Sequence, residues 1–500
     1  MPYLSIIIFL PVLGALLIGL LRNLTPKGTR IISVVFTSVA FLVSLYLFFV
    51  FDRSASGTFQ FREMVPWIPA LGSSYHLGVD GLSMPLVLLT TFLGFVSVFV
   101  SWKIALRVRE YFIWLLLLEA GILGVFTSLD LILFFLFWEV ELLPMYMLIS
   151  IWGSGRKEYS AIKFVIYTLA GSAFMLAGFL LLYFKAQPLM APGQSAFNMI
   201  DLAQAGLNMA VIPLLPLIFF FILGAFLIKL PVFPFHTWLP DAHTDAPTAV
   251  SVMLAGILLK MGGYGMIRLN VTLFPDVALQ YAPLFIILAL VNILYGAAVT
   301  LRQRDLKKLI AYSSVSHMGY VLLGVFALSQ LSLTGAVLQM FSHGLVTGLL
   351  FAMVGLVYEK THNRDIYTLG GLARQMPVIT VLFSIAGLAS LGLPGTSGFI
   401  AEFLVFLGSF NSNLVEGIKL YTAIGALGIV ITAGYILYML QKVFYGPPQE
   451  KYDHAGDATA LERFYTYAFV GGIMLVGLYP AFVTDLIKKG IEPITKLLGS

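Results

Sequence analysis

The sequence predicts an all-α polytopic membrane protein of about 14 transmembrane helices, with two inverted five-helix repeats in which helices 7 and 12 are broken. Three observations predict this class. Of 500 residues, 59% are hydrophobic and 11% are charged, against about 25% charged in an ordinary soluble domain. The mean hydropathy is +0.95, so lipid is the solvent for much of the chain. Windows of about 20 mostly apolar residues, the length that crosses a hydrocarbon core, recur fourteen times along the sequence.

The windows run over 3–22, 31–51, 80–101, 111–128, 130–151, 163–184, 212–234, 247–269, 282–301, 307–327, 333–357, 377–409, 420–445 and 464–487. The first has no basic leader and no small-residue cleavage site, so it reads as a retained span rather than a signal peptide. A tight turn at Ser128–Asp130 separates the fourth from the fifth. There is no cysteine, which excludes thiolate-held iron–sulfur clusters, disulfides and thiol catalysis.

Basic residues set the expected orientation. Nineteen of the 29 Lys and Arg fall in loops after odd-numbered windows and eight on the opposite side. The odd loops should be cytoplasmic, with both termini on the far side. The net charge of +5 thus reads as topology, not as nucleic-acid binding. The two remaining cations, Lys229 and Lys260, sit inside windows. An intramembrane charge costs at least ~2.5–3.5 kcal/mol on insertion scales, so it is rare and usually functional.

The buried polar positions follow in chain order. Glu139 lies mid-window in LILFFLFWEVELLPMYMLI. Glu141 is two positions on, about 200° around a helix, so the two acids cannot share a face. Pro144 should kink this helix. Lys229 lies in FLIKLPVFPFHTWLPDAH, where Pro231 and Pro234 should break the span just after the lysine. A broken helix is tolerated in lipid only where protein or water satisfies the freed backbone, which makes Lys229 a candidate hydrated proton site. Lys260 sits mid-window in SVMLAGILLKMGGYGMIRL. His317 has Ser313, Ser314 and Ser316 beside it, and His343 lies in LQMFSHGLVTGLL; histidine changes charge near neutral pH and relays protons readily. Glu402 follows Gly392, Pro394, Gly395 and Gly398, again the signature of an interrupted helix.

Glu402 falls 173 residues after Lys229, and His317 falls 178 after Glu139. Both offsets span five windows. Broken segments at matching places in two halves point to a transporter repeat, and an odd number of spans per repeat inverts it. The chain 1–500 then reads as a single transmembrane domain. Spans one to three (about 3–101) precede a first repeat at about 111–269, a second at about 282–445 and a last span at about 464–487. Each residue alone has a plainer reading. A mid-span Glu or Lys can be a structural ion pair, and a mid-span His can be a hydrogen-bonded core residue. His236 and His243, flanking Asp241, suggest a metal site only weakly, because no other ligands cluster there. The ensemble of two acids, two lysines and two histidines at similar depth resists the plainer reading.

The segments HLGVDGLSMPLVLLT, LFFLFWEVELLPMYMLI, KLPVFPFHTWLPDAHTDAPTAVSVMLAGILLKMGGYGMIRL and LKKLIAYSSVSHMGYVLLG resemble the antiporter-like subunits of respiratory complex I, the NADH-quinone oxidoreductase, over nearly the whole chain. Within that superfamily an acid at the second broken helix marks the M-type branch, where other branches usually carry lysine; here the residue is Glu402. The resemblance implies a central line of protonatable groups. Glu139 would pair with Lys229, Lys260 would bridge, His317 and His343 would connect the halves, and Glu402 would close the line toward the next subunit. It implies no cofactor in this chain. NADH, FMN, iron–sulfur clusters and quinone would sit in partner subunits. The partners would be other complex I membrane subunits, especially flanking antiporter-like subunits, with lipid, protons and water. The setting would be a bacterial plasma membrane or a thylakoid-type membrane. The alternatives are a subunit of a multisubunit Na⁺/H⁺ antiporter or of an energy-converting membrane hydrogenase.

Overall fold

The computed structural model describes residues 1–21 and 23–499; Arg22, one of the nineteen charges expected on the cytoplasmic side, lies outside them. Helices α1 (Tyr3–Leu20) and α2 (Pro26–Val50) are exposed on one face to the lipid side. Thr25 caps α2 by accepting from Gly28 N, with Pro26 at the first helical position, the place where a missing N–H costs nothing. Next comes a feature the window count passed over. Residues 60–79 form an antiparallel hairpin, β1 (Gln60–Ile68) and β2 (Ser73–Val79), with Met64 opposite His76. Its turn closes at Gly72, whose φ is +67°. A period-two segment flanked by apolar windows is too short to register in a search for spans.

Helix α3 (Met84–Val100) is followed by α4 (Val108–Thr127). The turn at Ser128–Asp130 separates α4 from α5 (Leu131–Val140) as expected. Asp130 caps α5 through Ile132 N and Leu133 N, and also accepts from Ser73 Oγ and Ser74 N. One carboxylate therefore ties the hairpin to the helix start. The chain breaks at Glu141 and resumes as α6 (Leu142–Trp152). This is where Pro144 cannot donate to the carbonyl of Val140.

Then follow α7 (Lys157–Ala186), the short α8 (Met199–Gln204), α9 (Leu215–Lys229), α10 (Trp238–Asp245), α11 (Thr248–Met253) and α12 (Leu259–Gly265). Two wider, π-helical stretches, Leu254–Leu258 and Met266–Val271, join α11 and α12 into one continuous buried rod from Thr248 to Val271. The second half comprises α13 (Pro275–Thr300), α14 (Leu306–Phe326), α15 (Gln330–Thr361), α16 (Pro377–Ser390), α17 (Ser397–Phe410) and α18 (Ile418–Val443). The chain closes with α19 (Ala460–Leu478) and α20 (Ala481–Leu497).

Among the described residues, ten helical spans are long and apolar enough to cross a membrane, or eleven if α19 and α20 form one span. Four of the fourteen windows are thus not single long helices: α3, α9, the α16–α17 pair and the α19–α20 pair. The last corrects the expected span at 464–487. The helix ends at Leu478 and the chain turns by 67° into α20. Pro480 follows the end of α19 and cannot continue it. The charges Asp485, Lys488, Lys489 and Glu492 then make α20 two-faced.

The core is built around α15 and the Thr248–Val271 rod, which are almost wholly buried. They meet where Gly256 faces Gly344: a Cβ on Gly256 would lie 3.5 Å from Gly344 O. Small residues let helix backbones approach this closely inside a membrane protein.

Candidate functional site

The break after α9 positions the first lysine. Its loosened backbone is satisfied by neighbours. Trp238 Nε1 donates to Ile228 O at 3.0 Å, Asn292 Oδ1 accepts from Phe233 N at 2.8 Å, and Asn292 Nδ2 donates to Pro231 O at 3.4 Å. Protein groups, not lipid, thus meet the orphaned carbonyls and amides. Lys229, the last residue of α9, is 1% exposed. Its ammonium forms an ion pair with Glu141 and lies 5.2 Å from the Trp138 ring and 5.5 Å from the Phe164 ring.

This corrects the expected pairing. Glu141, not Glu139, meets the lysine. The two acids project about 200° apart, and the break at position 141 turns the second inward against Lys229. Glu139 is half-buried, within the electrostatic reach of Lys229 and directed to Ser172 on α7.

Lys260 is fully buried. Its ammonium donates to Ala255 O in the widened turn and lies 2.7 Å from His343 Nδ1. The glycine contact between the rod and α15 brings this pair together. Across the His343 ring, His317 stands with ring centres 5.6 Å apart. His317 Nδ1 is 3.2 Å from Glu402 Oε1, and its Nε2 is 3.2 Å from Ser390 Oγ. Glu402 projects from α17 over the α16–α17 break, where Gly392 has φ +78°. A Cβ there would sit 3.0 Å from Glu402 Oε2.

Six of the six sequence-derived residues are therefore buried or half-buried. The structure sorts the contacts into three pairs: Glu141 with Lys229, Lys260 with His343, and His317 with Glu402. The first pair joins the α5–α6 break to the end of α9, the third joins α14 to α17, and the second links the Thr248–Val271 rod to α15. Gly262 of α12 packs on the end of α9, where a Cβ would lie 2.8 Å from Leu230 N, so the rod carrying Lys260 abuts the break carrying Lys229.

Several buried ionisable groups were not among the six, Glu119, His243 and Arg268 among them. Glu119, 1% exposed on α4, lies against Gly94 of α3 and its Oε1 has no hydrogen-bond partner. The signal was present in LLLLEAGILG, a lone acid in an apolar window. His243 is fully buried and stacked on Phe351, with ring centres 4.4 Å apart. Arg268, at the end of the 247–269 window, is one of the eight cations counted as loop charges on the non-cytoplasmic side. It lies instead within the rod, 6% exposed, and its Nη2 donates to both Asp80 oxygens at 2.6 Å. Among the described residues no three His, Asp or Glu side chains gather as a metal site.

Residues 128–432 match the family described as NADH:quinone oxidoreductase/Mrp antiporter, transmembrane. The chain is 43% identical to NAD(P)H-quinone oxidoreductase chain 4 1 of Synechococcus elongatus, over 97% of this chain and 90% of that one. It is 40% identical to NAD(P)H-quinone oxidoreductase chain 4 of Gloeobacter violaceus, over 99% and 93%. Among solved structures, it superposes with a TM-score of 0.88 on a chain of respiratory complex I from Thermus thermophilus, at 30% identity and covering 99% of this chain and 100% of that one. A chain of the Mrp complex from a Dietzia species shares the fold, with a TM-score of 0.86 at 20% identity and 99% of each chain covered.

Proposed function

This chain belongs to the NADH:quinone oxidoreductase/Mrp antiporter transmembrane family, and from that membership we propose that it is a chain 4 of an NAD(P)H-quinone oxidoreductase, acting as an antiporter-like, proton-translocating membrane subunit. Electrons pass from NAD(P)H to quinone in partner subunits that hold the FMN and iron–sulfur clusters. The buried groups of this chain respond by moving protons. The likeness to the Mrp chain supports a shared fold, while the near-complete 40–43% identity to chain 4 proteins supports the quinone oxidoreductase over the antiporter.

The observation that carries the reading is the Lys260–His343 contact at 2.7 Å. It joins a line ending in Glu141–Lys229 to a line ending in His317–Glu402. In the proposed cycle Lys229 begins ion-paired with Glu141. Displacement or neutralisation of the acid releases the lysine's proton toward Lys260, and His343, with His317 beside it, passes charge on to Glu402. Glu139 is a proton donor or acceptor at the edge of the line. We read the membrane topology as fourteen crossings. The ten long spans are joined by α3, by α9 with its break, by α16–α17, and by α19 with α20 lying against the far side. Residues 111–269 and 282–445 are the two inverted halves, and flanking antiporter-like subunits extend the line.

Substitution tests this directly. Glu141→Gln and Lys260→Met, each in the assembled complex, should lower NAD(P)H-driven proton translocation by about a hundredfold, the scale of a lost positioned proton carrier. Glu139→Gln should have a smaller effect than Glu141→Gln. Wild-type translocation in both Glu141→Gln and Lys260→Met would sink the assignment, and a larger effect of Glu139→Gln would reverse the order of the two acids.

A further inference from the structure

Gln339 lies one helical turn before His343 on α15 and is 2% exposed. Its Oε1 has no hydrogen-bond partner, and neither does Nε2 of His343. Leaving a buried polar atom unmatched costs about 1–3 kcal/mol, so two such atoms in one wall call for a common partner. Both residues line a small cavity with His317, Ser342, Ser390 and Glu402. A water molecule can place its centre there over about 10 Å³, close to the minimum room for one buried water, which also needs two to four polar neighbours. Lys260 occupies Nδ1 of His343, which leaves Nε2 as the ring's other proton exchange point.

We propose that Gln339 holds one water molecule between His343 Nε2 and the Glu402 carboxylate, and so acts as a positioning residue where the two halves exchange a proton. This rests on the proton-translocating reading of the chain. The water accepts from His343 Nε2–H and donates to Gln339 Oε1 and to Glu402. When Lys260 gives a proton to Nδ1, His343 releases its Nε2 proton to the water, and the water gives one to Glu402. Lys260 ends neutral, Glu402 ends protonated, and His343 ends neutral with its hydrogen on the other nitrogen. The proton count balances and no co-reactant enters. The amide itself never titrates. It fixes which way the water points, and misplacing a relay group by about 1 Å can cost a hundredfold in rate.

The test uses the assembled complex in proteoliposomes. Gln339→Met keeps the length of the side chain and removes the amide. It should slow proton translocation at least about tenfold, with the complex assembled at wild-type level. Gln339→Glu keeps an acceptor oxygen and should recover transport with an altered pH profile, a response that a packing role would not produce. Val346→Leu adds one methylene to the wall of the same cavity without removing a polar group, and should slow transport comparably. Wild-type rates in Gln339→Met overturn the proposal. If that variant does not assemble, a wild-type rate in Val346→Leu overturns it. Lys260→Met is the parallel control. If it also transports normally, the proton-translocating reading itself has failed. If it is blocked while Gln339→Met is not, only the water relay has failed.

Discussion

At the scale of single residues, the buried charges divide into those of the proposed proton line and those that tie the framework together. Asp80 and Arg268 form a buried pair, with Asp80 Oδ1 also accepting from Leu82 N and Ser83 N. Arg268 lies 4.8 Å from the Phe59 ring and 5.4 Å from the Tyr264 ring. So many fixed partners suit an anchor that pins the loop before α3 to the end of the buried rod. Removing one member leaves the other charge uncompensated, at about 3–5 kcal/mol. Asp80→Asn and Arg268→Gln should each lower the thermal stability and membrane level of the chain. The double variant should lose less than the sum of the two, by a coupling of about 0.5–3 kcal/mol; strict additivity would dissolve the pair as a unit. Nothing in the sequence hints at this partnership, since 188 positions separate the residues. By contrast, Lys229, Lys260 and Glu402 were legible because a charge in an apolar window is conspicuous. The choice between Glu139 and Glu141 was not legible, because it turns on how the Pro144 break rotates one carboxylate inward.

At the scale of elements, the two broken helices share a device: a helix stops and an ionisable side chain lies at the gap, Lys229 at the end of α9 and Glu402 reaching over Gly392 from α17. Pro231, Pro234, Gly392 and Pro394 make both interruptions readable in the sequence. The widened turns at Leu254–Leu258 and Met266–Val271 were not, since no proline or unusual spacing marks a π-helical stretch. The hairpin was missed for the opposite reason, a local pattern masked by its apolar surroundings. The second break offers a controlled test. Gly392 has φ +78° and Gly395 has φ +91°, so alanine at either is strained by about 1–3 kcal/mol. The surroundings differ. The new methyl at 392 would press on Glu402 Oε2 at 3.0 Å, whereas at 395 the nearest atom is Leu478 Cδ2 at 3.9 Å. Gly392→Ala should therefore cut proton translocation well below Gly395→Ala at comparable stability. Equal rates in the two variants would mean that the position of Glu402 over the break is not what matters.

For the whole molecule, the remaining question is orientation, and the structure strengthens the charge argument for it. Arg268 was one of eight cations assigned to the non-cytoplasmic side. Buried and paired with Asp80, it no longer counts as a loop charge, and neither does Lys307 on the basic side, which is also buried; that leaves seven against eighteen. Lys163, on the basic side, pairs with Asp241 at 2.8 Å, but acids contribute little to the rule that basic loops stay in the cytoplasm, so the asymmetry stands. The loop at 153–156 should then face the cytoplasm and the loop at 190–195 the opposite side. The chain has no cysteine, so one introduced thiol reports its location without background from the rest of this chain. Ser154 and Ala191 are both exposed, at opposite ends of the helix Lys157–Ala186 that separates them, which is about 45 Å long at 1.5 Å per residue. In sealed right-side-out vesicles, a membrane-impermeant maleimide should label Ala191→Cys at once and Ser154→Cys only after permeabilisation. The reverse order would invert the chain in the membrane, and with it the side from which protons reach Lys229 and the side to which they leave.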